Sequence, residues 1–219
     1  MKVQRQTLQN RIVHWGIAFS IFGLIVTGLF EMPIAKRYFI NELPLMAWAG
    51  DYWLNLTLHY VFAFFLVFFG FFHIVFHSAR GEFDAMPKKG DVKKSYLVIK
   101  AMVTGGEEPP SEKYLPEQRL AYLAIALNIA MLIITGLIKT YKNLLGFDIS
   151  NGLYYWAATL HNVGFVLMIL LIIAHLAAFL PKINRNLLPG MFSGKVDADY
   201  AKHRHSLWKA KPCKENDEK

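Results

Sequence analysis

The chain has 219 residues, of which 54% are hydrophobic and 18% charged, with 24 Lys and Arg against 16 Asp and Glu. That is a membrane composition, and no polar stretch is long enough to fold as a separate catalytic domain, the longest running from about 77 to 118. Cys213 is the only cysteine, which excludes an intrachain disulfide and a C-x-x-C-H haem attachment.

A short basic N-terminus with Lys2, Arg5 and Arg11 leads into a first apolar run at about 12–30. The run is too long for a signal-peptide h-region and no A-x-A site follows, so it is expected to stay as an anchor. A loop with Pro33 and Pro44 precedes the second run, 53–76. In the polar connection that follows, VKKSYLVIKAM (92–102) mixes lysines with apolar residues as a short interfacial helix does, and GGEEPP ends it. The third run covers 120–138 and the fourth 153–180. Pro181, Pro189 and Gly190 interrupt any continuation, and a second surface helix is expected from about Asp197 within a basic tail, 181–219. Each run holds at least 19 residues without Asp, Glu, Lys or Arg, enough to cross a hydrocarbon core about 30 Å thick. The expected fold is an all-α membrane protein, a four-transmembrane-helix bundle forming one domain over 1–219.

Twenty of the 24 basic residues fall in the N-terminus, the middle connection and the tail, while Lys36, Arg37, Lys139 and Lys142 are alone on the other side. By the positive-inside rule both termini and the middle loop are cytoplasmic, in a bacterial-type inner membrane. The basic excess is thereby explained as topology, and no nucleic-acid motif competes with it. Trp48, Trp53, Tyr154, Tyr155 and Trp156 fit the outer aromatic belt.

Six of the eight histidines lie in or at the ends of these runs: His14, His59, His73, His77, His161 and His175. Imidazoles at membrane depth usually face a bundle interior and serve a function, the plain alternative being a polar contact between helices. His59 and His73 are fourteen residues apart, and so are His161 and His175. Fourteen residues return to within about 40° of the starting direction after a rise of about 21 Å, so each pair shares one face at two depths. Under the expected topology His59 is level with His161, and His73 and His14 are both level with His175. Two layers of imidazoles suit two bis-histidine haems, with Gly16, Gly23, Gly28, Gly70, Gly136 and Gly164 as small residues that let a flat ring approach. On the inner layer His14, His73 and His175 compete for two positions. A divalent-metal carrier using the same histidines is the non-redox alternative; zinc or copper sites usually recruit Cys, Asp or Glu as well, and the runs contain none. His203 and His205 read as a solvated or partner-facing part of the tail.

The segments RIVHWGIAFSIFGLIVTG, LHYVFAFF, EKYLPEQR, ITGLI, HNVGFVLMILLIIAH and the tail box GMFSGKVDADYAKHRHSLWKA extend over nearly the whole chain. They carry a resemblance to the cytochrome b (gamma) subunit of membrane-bound formate dehydrogenases, with related subunits in thiosulfate or polysulfide reductases and nickel-iron hydrogenases. It implies an electron-transfer subunit without substrate chemistry of its own, placed in a hetero-oligomer with an iron-sulfur (beta) subunit and a molybdenum or tungsten catalytic (alpha) subunit. It implies two b-type haems, the outer on His59 and His161 and the inner on His14 and His175, with His73 as the alternative inner ligand. It also implies that electrons pass from the periplasmic partner to a quinone, menaquinone or ubiquinone, near the cytoplasmic face. The family places an Asn- and Gly-containing turn before the third span; here Leu115 and Glu117 stand at those positions and Gln118 is retained. Tyr114, Glu117 and Gln118 are the candidate quinone vicinity, since they bring polar groups and proton access to the membrane boundary. The nearest alternative within the resemblance is a cytochrome subunit serving one of the other two enzymes.

Overall fold

The computed structural model describes residues 1–210 and residue 213, so residues 211–212 and 214–219 of the expected tail lie outside the described residues. Four long apolar helices dominate: α1 (Leu8–Glu31), α3 (Tyr52–Arg80), α5 (Pro116–Asn143) and α6 (Asn151–Ala177). Each is long and apolar enough to cross a membrane. Short helices fill the rest: α2 (Ile34–Arg37), α4 (Asp91–Thr104), α7 (Lys182–Arg185), α8 (Leu188–Phe192) and α9 (Ala198–Arg204). Two short strands, β1 (Lys2–Gln4) and β2 (Lys195–Asp197), pair antiparallel with Val3 opposite Val196.

Local signals account for the helix ends. Thr7 Oγ1 accepts the Asn10 amide at the start of α1, at 3.2 Å. Ser150 caps α6 by accepting the Leu153 amide, at 3.3 Å. Pro116 opens α5, where its missing N–H costs nothing, and Gln118 Oε1 accepts the Leu115 amide, at 3.1 Å. Gly81, at φ +63°, follows the end of α3, and Gly105, at φ +71°, that of α4, a left-handed conformation that glycine enters without a Cβ penalty. Helix α6 stops three residues short of the apolar run, because Pro181 cannot continue it. Asn184 Nδ2 donates to Ala178 O, at 2.5 Å, and Arg185 donates to Phe179 O and Leu180 O, at 3.2 and 3.1 Å, satisfying the carbonyls that the break releases.

The chain divides into two compact units, residues 12–80 and residues 1–11 with 81–219. In the first, α1 and α3 pack antiparallel through aromatic side chains laid on glycine. A Cβ on Gly16 would fall 2.6 Å from the Phe69 ring, and one on Gly23 would fall 2.5 Å from the Phe62 ring. In the second, α5 and α6 are antiparallel, with Met131 and Leu132 against Gly164 and Asn128 Nδ2 donating to Gly164 O, at 3.0 Å. Large apolar side chains such as Phe64, Phe71, Leu127 and Leu170 remain more than half exposed, as a lipid-facing surface requires.

The second unit also holds a polar cap joining segments remote in sequence. The β1–β2 pair extends through Gly194 O, which accepts the amides of Arg5 and Gln6, at 2.8 and 3.0 Å. Arg5 donates to Lys113 O, at 2.6 Å, and stands 3.4 Å from His205 Nε2. Asp91 and Arg119, both nearly fully buried, form a two-point ion pair with both contacts at 2.7 Å. That guanidinium, as principal hydrogen-bond donor, holds the Asp91 carboxyl below the ordinary aspartate range. Arg204 pairs with Glu108, at 2.9 Å, and donates to Asn184 Oδ1.

The fold expectation of a helical four-span membrane protein holds. The interfacial helix expected at 92–102 is α4, and the helix expected from Asp197 is α9, whose first amides are accepted by the Asp197 side chain. The tail histidine pair requires a correction. His205 is fully buried, its Nδ1 2.7 Å from Glu112 O, so the polar cap absorbs half of what reads as a solvated basic stretch.

Candidate functional site

All six membrane-associated histidines fall on three of the long helices. His59, His73 and His77 are on α3, His161 and His175 on α6, and His14 is in the second turn of α1. Both fourteen-residue pairs therefore stand on unbroken helix, and each pair shares a face.

Within residues 12–80, the antiparallel packing set by Gly16 with Phe69 and Gly23 with Phe62 brings His14 level with His73 at one end. At the other end His59 meets Thr27, with Nδ1 2.9 Å from the hydroxyl oxygen. The Glu31 carboxylate stands 3.4 Å from the same nitrogen. His73 also packs against His77, with ring centroids 4.5 Å apart. His14 and His73 thus lie at one depth, and both stay in contention for the inner ligand position.

Residues 81–219 repeat the arrangement of His59 with Thr27. His161 Nδ1 lies 2.9 Å from the Thr135 hydroxyl. Its ring rests on Gly136, where an added Cβ would be 3.3 Å from Cε1. Continuing the α5–α6 register brings His175 level with Tyr122, one turn beyond Gln118. The expected quinone residues are thereby placed at the same end of this unit as His175. Gln6 Nε2 donates to the Tyr114 hydroxyl, at 3.1 Å, and Gln118 is engaged in capping α5. Glu117 Oε2 is buried without a hydrogen-bond partner among the described residues.

The glycines divide by role. Gly16, Gly23 and Gly164 are covered by Phe69, Phe62 and Met131, Gly70 faces open space, and Gly136 receives the His161 ring. Expecting all of them to admit a flat ligand is therefore too broad.

These donors fit a noncovalent haem. The membrane-facing set is imidazole without cysteine, and Gly136 lets one ring lie directly on a helix backbone. Among the described residues no three His, Cys, Asp or Glu gather as a metal cage would require. An iron already held by a porphyrin asks only for axial nitrogens. Sequence reading missed Thr27 and Thr135. The signal was present as a repeated pentapeptide, I-V-T-G-L at 25–29 and I-I-T-G-L at 133–137.

Four membrane-length helices, two of which carry paired imidazoles, with no C-x-x-C-H attachment motif in the sequence, describe a multi-pass membrane cytochrome of the b type, an electron-transfer protein. The chain belongs to the prokaryotic cytochrome b561 family, whose sequence model matches residues 5–194. The match is to that family, not to the formate dehydrogenase subunit in particular. A search of curated proteins found no match.

Proposed function

We propose that the chain is the membrane electron-transfer subunit of a formate dehydrogenase-type respiratory complex, connecting a periplasmic iron-sulfur partner with the quinone pool. It holds two b haems, the outer on His59 and His161 and the inner on His175 with His14, His73 being the alternative. The observation that carries this reading is the doubled pair of histidines fourteen residues apart, each pair on one continuous membrane helix. Haem supplies one-electron redox chemistry when bound. The chain's residues supply the axial nitrogens, an apolar surround and, at one end, polar groups for a quinone.

Orientation has separate support. The N-terminus, the middle connection and the tail are the three segments rich in Lys and Arg, and they meet in one polar cap through β1–β2, Arg5 with Lys113 and Arg204 with Glu108. All three belong on one side, and the basic excess assigns that side to the cytoplasm. Quinone reduction is assigned to the Tyr114–Gln118 segment on the same side, where Glu117 offers a buried carboxyl oxygen and Gln6 joins the polar group.

A pyridine haemochrome count with a reduced-minus-oxidised spectrum tests the reading. Two noncovalent b haems per chain are expected, with one lost in His161→Ala. A colourless protein made with ample haem, or two haems retained in that variant, refutes the assignment. Reduction of the haems by formate in the isolated complex, against hydrogen as donor, separates the formate dehydrogenase assignment from the hydrogenase alternative.

A further inference from the structure

We propose that Thr27 and Thr135 are positioning residues that fix the tautomer of His59 and His161 and raise their donor strength, making a matched pair of axial ligands. The proposal rests on reading those two histidines as ligands of one haem, and it concerns how the chain prepares them.

The geometry is the same in both units. Each threonine sits in its helix with a buried side chain, and its hydroxyl lies within hydrogen-bond distance of the carbonyl four residues back. Thr27 reaches Gly23 O at 2.8 Å and Thr135 reaches Met131 O at 2.7 Å. A threonine hydroxyl has a single proton, and the carbonyl can only accept, so the proton is committed there. Toward the imidazole the hydroxyl oxygen is left as an acceptor. The contact at 2.9 Å is then an Nδ1–H donating to oxygen, in His59 and in His161 alike. With the proton on Nδ1, the lone pair is on Nε2, the nitrogen presented to a metal.

A hydrogen bond drawn from Nδ1–H also moves electron density into the ring and raises the basicity of Nε2. A more basic axial nitrogen favours ferric over ferrous iron. At each site the imidazole has a further acceptor close by, the Glu31 carboxylate 3.4 Å from His59 Nδ1 and the Leu132 backbone carbonyl at His161. At the second site the following residue adds to the device: Gly136, after Thr135, gives the His161 ring its seat.

Thr135→Val keeps the shape of the side chain and removes the acceptor, and Thr135→Ser restores it. In the purified holoprotein, potentiometric titration followed in the α-band should show one haem shifted to higher potential in the valine variant. The expected change is about threefold in the ferrous to ferric ratio at fixed potential, or about 30 mV at 59 mV per decade. The other haem should stay in place, Thr135→Ser should return to the wild-type value, and Thr27→Val should shift the same haem in the same direction. If the valine variant loses a haem instead, recovery of that haem in the serine variant is the supporting result. The proposal is overturned if Thr135→Val retains both haems at wild-type potentials, or if serine fails to reverse whatever valine changes. His161→Ala is measured in parallel. Retention of two haems there removes the ligand assignment itself, a failure distinct from unchanged potentials in the threonine variants.

Discussion

Acidification should open the polar cap, and His205 sets the size of the effect. Its ring is fully buried, within reach of the Glu112 carbonyl and the Arg5 guanidinium. Burial first, and then the Arg5 charge, pushes its pKa down from 6.5 to about 4. With the tail detached the imidazole takes up a proton below about 6.5, whereas in the closed cap it does so only below about 4. Between those values opening binds a proton, so the closed form is stabilised at neutral pH and loses that advantage as pH falls. Integrated from pH 7 to pH 5, the loss is about 2 kcal/mol, or roughly twentyfold in the open fraction. Hydrogen exchange of the Arg5, Gln6 and Leu207 amides, which donate to Gly194 O and Ser111 O, reports opening directly. Their protection factors should fall by about that ratio between the two pH values. His205→Asn can keep a donor toward Glu112 but does not titrate, so its protection should be nearly flat with pH. Protection that is unchanged in the wild type, or that falls equally in the asparagine variant, refutes the reasoning.

Other substitutions probe separate parts of the fold. Gly194→Ala puts a Cβ 2.6 Å from Gln6 O at φ +82°, and should cost about 2 kcal/mol or more, read as loss of β1–β2 amide protection. Asp91→Asn removes the charge opposite a guanidinium that is only 4% exposed, and a fall of about 3 kcal/mol in unfolding free energy is expected by denaturant titration. Gly136→Val must displace the His161 ring, whose Cε1 would lie 3.3 Å from the new Cβ, and should lower the haemochrome count. Gly70→Ala, with no atom within 4 Å of its Cβ, should leave that count unchanged.

The four spans and their histidines were legible because bilayer insertion imposes a constraint that each segment meets by itself. A helix satisfies its backbone internally, so an uninterrupted apolar run of sufficient length identifies one without reference to its neighbours. The spacing of His59 with His73 and of His161 with His175 then followed from helix geometry alone. α4 and α9 were visible for a similar reason: GGEEPP ends one and Asp197 caps the other, and these signals act within a few residues.

Other features depended on residues that sequence proximity does not connect. Arg5 and His205 are 200 positions apart, so a histidine in a basic tail gives no local sign that it closes the cap. The strands β1 and β2 are three residues each and have no pattern longer than a turn, so their pairing exists only through the packing around Val3, Val196 and Ala201. Thr27 and Thr135 look like ordinary helix residues until α3 and α6 bring an imidazole to each hydroxyl. Composition and periodicity by themselves determined that this chain crosses a membrane four times and carries imidazoles at two depths. Which nitrogen each outer histidine presents, which glycine seats a ring and which tail residues are buried were decided only by tertiary contacts, because each depends on an atom supplied by another helix or segment.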